Sequence, residues 1–494
     1  MNDAYIAIDL GAESGRVIAV QLLDGRIELN ELHRFSNQPV ALPSGLHWDI
    51  SSLWREIVAG LTKTSAWAKT ANVRLVSVGV DAWGVDWALL STSGELVGLP
   101  HAYRDDRYPK ACELALKLVS AEEIYNLTGI QLMPINTIFS LFAQRQTGPE
   151  LFTSAANLVF IPDLFHFWLS GQVAIEATIA STSQIIDVQT RKWSVPLLEQ
   201  LAIPVSIFSP PRDPGTVLGP IRPALAAATG LPTDLQVVLP PSHDTASAVA
   251  AVPATDTKSW CYLSSGTWSL LGAEIAAPCL TTAAREAMFT NELGVGGKIR
   301  FLKNIAGLWL IQELRRDLAV AGEQFDYAQL TQLAEKTPAF RSIVDANSPS
   351  FQNPGGIRGK ISTLCQQTSQ PVPDSPGAFA RCCLESLAAA YRKTFRTLSQ
   401  VLSRDFEVVH IVGGGGKNRL LCQMTADALN RTVIVGPLEA TAIGNGLVQA
   451  MAMRRISNLQ QLRQLVAASV ELQTYLPRDP ERWDTGFRND GALS

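Results

Sequence analysis

Two stretches of this chain start in the same way about 250 residues apart, and that duplication limits the fold more than any other feature. Ala4-Tyr5-Ile6-Ala7-Ile8-Asp9 and Val17-Ile18-Ala19-Val20-Gln21-Leu22 are β-rich runs joined by Leu10-Gly11-Ala12-Glu13-Ser14-Gly15-Arg16. Ser259-Trp260-Cys261-Tyr262-Leu263 and Ser269-Leu270-Leu271-Gly272 flank a second small-residue turn, Ser264-Ser265-Gly266-Thr267-Trp268. Each pair reads as a β-hairpin. Between the two starts, helical and strand patterns alternate. Leu53, Ile57, Val58 and Leu61 follow a helical period behind the capping candidates Asp49 and Ser51, and Leu75–Val80 is a buried-strand run. In the second half, 380–401 is helical and Val408–Val412 is a strand that runs into glycines. The expectation is an α/β fold of two domains, 1–252 and 253–494, divided in the Pro/Thr/Asp/Lys segment near Pro253, with a cleft between them.

Composition excludes several classes. With 494 residues, 47% hydrophobic and 17% charged, the chain suits a large buried core, and its net charge of −4 gives no basic stripe for nucleic acid or anionic lipid. The uncharged stretch 124–144 carries Asn126, Gln131, Pro134 and Asn136, which a bilayer-spanning helix tolerates badly. No basic n-region with an apolar core opens the chain, so the expected location is cytoplasmic. The seven cysteines contain no Cys-x-x-Cys pair, and the six histidines are scattered, so no zinc-type spacing is present.

Three glycine-bearing segments point to phosphate chemistry. Glycines such as Gly11, Gly15 and Gly266 can take positive φ and aim backbone N–H groups at a phosphate; an ordinary hairpin turn is the simpler reading of either turn alone. The Gly-Lys pairs are followed by Ile299, Ile361 or Asn418, so no Walker-type loop exists. Gly413-Gly414-Gly415-Gly416 after a strand is entropically costly, which suggests close approach of a flat adenine or ribose; a flexible connector is the alternative.

Asp9-Leu10-Gly11, Ser265-Gly266-Thr267 and Val412-Gly413-Gly414-Gly415 resemble, in order and spacing, the two phosphate motifs and the adenosine motif of the actin, hexokinase and Hsp70 superfamily. Within it the chain resembles the FGGY carbohydrate kinases from about Ala4 to about Thr474. Asp81-Ala82-Trp83-Gly84-Val85-Asp86, Ser242-His243-Asp244-Thr245-Ala246-Ser247-Ala248, Tyr262–Leu270 and Leu302–Leu310 are similar to the branch that phosphorylates L-rhamnulose at its C1 hydroxyl. The resemblance implies two actin-like (ribonuclease H-like) domains, ATP as co-substrate, Mg²⁺, and a small sugar substrate; neither nucleic acid, membrane nor a protein partner is implied. Another ketose or polyol, such as L-fuculose or D-xylulose, stays open, as does a non-catalytic nucleotide-binding switch on the same scaffold.

That resemblance also implies residue roles. Asp244, which its own surroundings leave open as a helix cap or a base, becomes the base for the sugar hydroxyl. Asp9 helps hold the water shell of Mg²⁺. Ala12, Glu13, Ser14, Gly15 and Arg16 wrap the β- and γ-phosphates, with Arg16 as cationic clamp. Thr267 and Gln312 lie on the nucleotide side, and Gly414 passes beside the adenosine. Gly84, His243, Thr245 and Asn304 contact the sugar. Asn304, Leu308 and Gln312 share one face if 304–316 is a helix. Trp83 and Trp87 read as core or rim aromatics, and the role of Tyr103–Arg107 is open. The family's Gly-Ala near the C-terminal end is replaced by Gly444-Asn445, a pair that the L-rhamnulose branch shares.

Overall fold

The computed structural model describes residues 2–255, 258–351 and 353–486. The chain forms two compact units. The first comprises Met1–Thr255, Glu274–Phe301 and Ala440–Val470, and the second Asp256–Ala273, Leu302–Glu439 and Glu471–Ser494. The first break falls close to Pro253, but the units are not contiguous halves: two later segments return to the first.

In the first unit, β1 (Asn2–Leu10) pairs antiparallel with β2 (Ser14–Leu23), which pairs with β3 (Arg26–Ser36). On its other side β1 lies parallel to β4 (Val73–Ala82). Beyond β4 come β5 (Thr216–Pro220) and β6 (Gln236–Leu239), giving the order β5-β6-β4-β1-β2-β3. Helix α1 (Ile50–Ala71) starts where Asp49 accepts a hydrogen bond from the Ser52 N–H, and Asn72 in left-handed conformation ends it. Its buried stripe, Leu53, Ile57 and Leu61, joins Ile6, Ile8, Val17, Val78 and Val80 in one core. Burial of each such aliphatic side chain stabilises the fold by roughly 1.5–3 kcal/mol. A second core in this unit gathers Phe139, Phe160, Ile179, Leu293 and Ile299 and so anchors the hairpin of residues 290–300.

The hairpin turn is tighter than the sequence suggests. Ser14, Gly15 and Arg16 belong to β2, because β3 supplies partners for them (Ser14 opposite Ser36, Gly15 opposite Phe35), so only Gly11, Ala12 and Glu13 turn the chain. The expectation of positive φ at Gly11, Gly15 and Gly266 is not met. Gly15 is required for space instead, since a Cβ there would lie 2.3 Å from the Phe35 ring.

The second unit repeats the arrangement. β7 (Trp260–Ser265) and β8 (Trp268–Ile275) form a hairpin; β9 (Val408–Val412) lies parallel to β7, β10 (Thr432–Val435) parallel to β9, and β11 (Gln473–Tyr475) antiparallel to β10. The helix Pro376–Leu402, capped by Ser375, is tied to β8 by the 2.8 Å contact between Tyr391 Oη and Ser269 Oγ. The expectation of one helix over 304–316 is corrected: Asn304 lies in the strand Ile299–Ala306, and the helix is Trp309–Val320. Gly307 marks the change, because a side chain there would strike the Trp268 and Thr267 backbone at 2.5–2.6 Å.

In the first unit, α2 (Asp244–Ala250) and α3 (Ala440–Ala452) pack at unusually close range. A Cβ on Gly444 would lie 1.8 Å from the Ser247 carbonyl oxygen, and one on Gly446 would lie 2.5 Å from Val20. Gly444→Ala therefore forces the two helices apart. The expected loss is about 3 kcal/mol or more of unfolding free energy, at the upper end for overpacking. Gly359→Ala, where nothing lies within 4 Å of the added methyl, is the neutral control in denaturant titration.

Candidate active site

At the C-terminal ends of β1 and β4 the register places Asp9 opposite Arg16 on one side and opposite Asp81 on the other. Arg16 makes an ion pair with Asp9. Asp81 is fully buried; its Oδ2 accepts a 2.5 Å hydrogen bond from Asn445, while Oδ1 has no hydrogen-bond partner among the described residues. Burial pushes the Asp81 carboxyl well above its usual range; the nearby charge of Asp9 adds to this, the Asn445 hydrogen bond opposes it, and Asp244 adds a smaller push. Asn445 accepts from Gln449 at 2.6 Å, and Gln449 accepts from Ser77 at 2.7 Å, so a buried polar chain links α3 to β4. The close approach at Gly444 brings Asn445 to Asp81.

Asp244 is the first residue of α2, and His243 takes the cap position. The Asp244 Oδ1 accepts from the Thr245 N–H at 2.5 Å and from Thr245 Oγ1 at 3.1 Å, and lies 3.4 Å from His243 Nε2. The side chain retains 33% exposure. The preceding loop is held by Glu176, a buried carboxylate that accepts from Ser242 N, Thr178 N, Thr178 Oγ1 and Ile179 N; Thr178 Oγ1 in turn accepts from His243 N. Ala82 N donates to Ser242 O, which fixes this loop along the end of β4.

Just beyond β4 the backbone is strained. Val85 has φ of +70°, rare for a β-branched residue, and Asp86 N donates back to Gly84 O at 3.0 Å, which closes a three-residue γ-turn. Thr182 Oγ1 accepts from Val85 N and Thr137 Oγ1 donates to Val85 O, so neighbouring segments hold the turn. Such strain is a feature of binding sites. Gly84 faces His243: a Cβ there would stand 3.4 Å from Nε2. Trp83 is core, its indole 4.2 Å from that of Trp48, and both donate to Asp86 Oδ2. Trp87 is bonded to Ser140 and stacks on Phe152. The open segment Tyr103–Arg107 is structural here: Tyr103 N donates to Asp86, and Asp105 accepts from Leu46 N and Arg107.

The structure thus brings together Asp9, Arg16, Gly84, His243, Asp244 and Thr245 in the first unit. Ala12 is half-buried and Glu13 exposed, with the Glu13 carbonyl accepting from Asn37 N. In the second unit Gln312 Nε2 donates to Thr267 Oγ1 at 3.3 Å. Gly413 has φ of +88°, a Cβ on Gly415 would meet Ser265 Oγ at 2.0 Å, and Gly414 has open space on its Cβ side. The glycine run is a tight 3₁₀ turn, Gly414–Lys417, and not a loose connector. Asn304 is half-buried on its strand. Sequence reasoning quoted Asp81 in a motif without giving it a role, and it missed Glu176, the reach of Asn445, and Glu292 and Arg300, whose Oε2 and Nη2 each lie 3.2 Å from His243 Nδ1. Only Asp81 carried a local signal, a charge continuing a buried strand.

Carboxylates are hard oxygen donors of the kind Mg²⁺ takes. Among the described residues no three His, Cys, Asp or Glu side chains form a metal cage. Mg²⁺ does not require such a cage, since it usually keeps several waters and takes one or two carboxylates together with substrate phosphates. No helix among the described residues is long and apolar enough to cross a membrane.

Comparison with known proteins agrees with this architecture. The FGGY family of carbohydrate kinases matches through its N-terminal domain at residues 4–251 and its C-terminal domain at 261–453. The chain belongs to this family and is a carbohydrate kinase with ATP as co-substrate. It is 39% identical over 475 residues to the rhamnulokinase of Oceanobacillus iheyensis, covering 96% of this chain and 98% of the relative. It is 40% identical to that of Enterococcus faecalis over 95% and 94% of the two chains. The fold also matches a ligand-bound xylulose kinase from Lactobacillus acidophilus, with a TM-score of 0.81, 16% identity and coverage of 99% and 96%. Glycerol kinase from Plasmodium falciparum matches with a TM-score of 0.78, 15% identity and coverage of 99% and 97%.

The buried carboxylates set a pH signature. Burial pushes Asp86 up to about 7, against the hydrogen bonds from Trp48, Trp83 and Tyr103. The folded state then binds more protons than the unfolded state between about pH 4 and 7, so the contribution of Asp86 is full below that window and is lost as pH rises through 7. In Asp86→Asn this dependence disappears. The Tm of the wild type minus that of the variant is expected to fall as pH is raised from 5 to 8; a constant difference contradicts the assignment.

Proposed function

We propose that this kinase transfers the γ-phosphoryl group of ATP to the C1 hydroxyl of L-rhamnulose, giving L-rhamnulose 1-phosphate in L-rhamnose catabolism. The observation that carries the chemistry is Asp244. Asp81, Asp86 and Glu176 are buried, whereas Asp244 keeps a solvent-facing edge at the start of α2. A base must reach its substrate, and this carboxylate is oriented by Thr245 with one edge open. The rhamnulokinase relatives supply the substrate.

Asp244 accepts the C1 hydroxyl proton as that oxygen attacks the γ-phosphorus. His243 and Thr245, on either side of it, orient the sugar, with Gly84 leaving room for the ring and Asn304 as a further sugar contact. Arg16 exchanges part of its ion pair with Asp9 for phosphate oxygens, and Ala12, Glu13, Ser14 and Gly15 lie alongside. Thr267, Gln312 and Gly414 receive the nucleotide, the first two as uncharged donors. Mg²⁺, held with its waters near Asp9, would neutralise charge on the phosphates when bound. Exclusion of water from the loaded site would keep the phosphoryl group from hydrolysis.

ADP production is measured with purified protein and Mg²⁺ across L-rhamnulose, L-fuculose, D-xylulose and glycerol. L-Rhamnulose is expected to be preferred, and Asp244→Asn to lower kcat by about 100- to 10,000-fold with ATP binding retained. Preference for another sugar redirects the substrate assignment. ATP binding without phosphorylation of any of the four sinks the proposed reaction.

A further inference from the structure

Under the proposed function His243 contacts the sugar, and the role of the groups behind its ring rests on that reading. Two charged side chains on one hairpin stand against the imidazole on that side. Arg300 is fully buried; its Nη2 is hydrogen-bonded to His243 Nδ1 at 3.2 Å, and its Nε donates to Leu293 O at 3.1 Å. Glu292, in the strand Thr290–Leu293 and 4% exposed, places Oε2 3.2 Å from Nδ1 and 2.9 Å from Arg300 Nη2. This oxygen nevertheless has no hydrogen-bond partner among the described residues, so it meets both groups by charge and not as an acceptor. Burial alone would raise the Glu292 carboxyl, but the charge of Arg300, ahead of the nearness of His243, holds it below the usual range, so it is a carboxylate that balances the guanidinium.

The bond at Nδ1 decides where the ring hydrogen lies. A guanidinium has hydrogens to give and no lone pair to offer, so in its bond with Arg300 the imidazole nitrogen accepts. A neutral imidazole with its lone pair on Nδ1 carries its one hydrogen on Nε2. Nε2 lies 3.4 Å from Asp244 Oδ1, and a Cβ on Gly84 would stand at the same distance from it, so this N–H borders the space that the missing side chain leaves open. A donor and an acceptor therefore stand side by side, His243 Nε2–H and the Asp244 carboxylate.

We infer that Arg300 is a positioning residue for sugar recognition: by donating to Nδ1 it keeps the hydrogen of His243 on Nε2, and this N–H is given to the sugar oxygen next to the hydroxyl that Asp244 deprotonates. In a 2-ketose phosphorylated at C1 that oxygen is the one on C2. It is a carbonyl in the open chain, which only accepts, and a hydroxyl with lone pairs in the ring form, so a donor at Nε2 serves both. With the tautomer reversed, a lone pair at Nε2 would face the Asp244 carboxylate and the carbonyl oxygen together, with no hydrogen to place between them. A substrate without an oxygen on C2 leaves the Nε2 hydrogen unpaired and binds less well.

The test separates the tautomer from the kinetics. In protein labelled with ¹⁵N-histidine, with His243 assigned by its loss in His243→Gln, long-range ¹H–¹⁵N correlation at about pH 8 is expected to show the ring hydrogen on Nε2 and none on Nδ1. Arg300→Met leaves the Glu292 carboxylate as the charged group beside Nδ1, so the hydrogen moves to Nδ1. The sugar KM is then expected to rise about 10- to 100-fold while the ATP KM holds. Arg300→Lys restores a donor and is expected to return the hydrogen to Nε2 and recover part of the KM. A sugar analogue with a methylene at C2 is expected to lose the same affinity in the wild type and to lose no more in Arg300→Met. A hydrogen on Nδ1 in the wild type, alone or with one on Nε2, overturns the inference even where Arg300→Met does not fold. So does an unchanged sugar KM in a folded Arg300→Met, or a further loss of the methylene analogue in that variant. A wild type that phosphorylates no ketose counts against the proposed function and leaves the tautomer to decide the role of Arg300.

Discussion

A carboxylate taken out of water must be given donors or a counter-charge, and the first unit is arranged around that requirement. Asp81, Asp86 and Glu176 are fully buried or nearly so. Each is met differently. Glu176 collects backbone and hydroxyl donors from two loops, Asp86 collects two indoles and a backbone N–H, and Asp81 has a single amide, Asn445. The loops that supply these donors have little freedom left, because releasing one strands a buried polar oxygen at a cost of about 1–3 kcal/mol. The Ser242–Asp244 loop and the Gly84–Asp86 turn owe their positions to this.

Close backbone packing makes the arrangement possible. Asn445 reaches Asp81 because Gly444 lets α3 lie against the carbonyl of Ser247 on α2. Along the sequence, the Gly-Asn pair stands out only as a departure from the wider family. Its physical content is a helix–helix contact and a buried hydrogen bond, and neither is visible in a single chain read along its length.

The legible part of the fold obeys local pattern. The two hairpins, the strand that carries Asp81, α1 with its Asp49 cap and the long helix around Ala380–Val401 all announce themselves by period and capping chemistry. The start of the helix after Gly307 does not, since the run Leu302–Leu310 is apolar enough for either state and the strand is chosen by its neighbours. The turn glycines suggest a conformational role where Gly15 has a steric one, set by Phe35, a residue 20 positions away. Of the site, His243, Asp244 and Gly84 stand in recognisable motifs. Glu292, Arg300 and Glu176 do not, because each acts on a segment more than 40 residues distant and carries no motif of its own.

The two units share a hairpin with a parallel third strand, yet their strand ends carry opposite chemistry. In the first, β1 and β4 carry Asp9 and Asp81 one residue before their ends; in the second, β7 ends in Ser265 and β9 leads into Gly413. A nucleotide's phosphates are received by uncharged donors and open backbone, as at the strand ends of the second unit, whereas Asp9 in the first unit stands beside them only with its Arg16 partner. Under the proposed function this assigns the nucleotide to the second unit, with Thr267, Gln312 and Gly414, and the proton acceptor and any divalent cation to the first. The carboxylates of the first unit then need counter-charge wherever phosphate comes near: Arg16, already paired with Asp9, supplies part of it, and Mg²⁺ would supply more when bound.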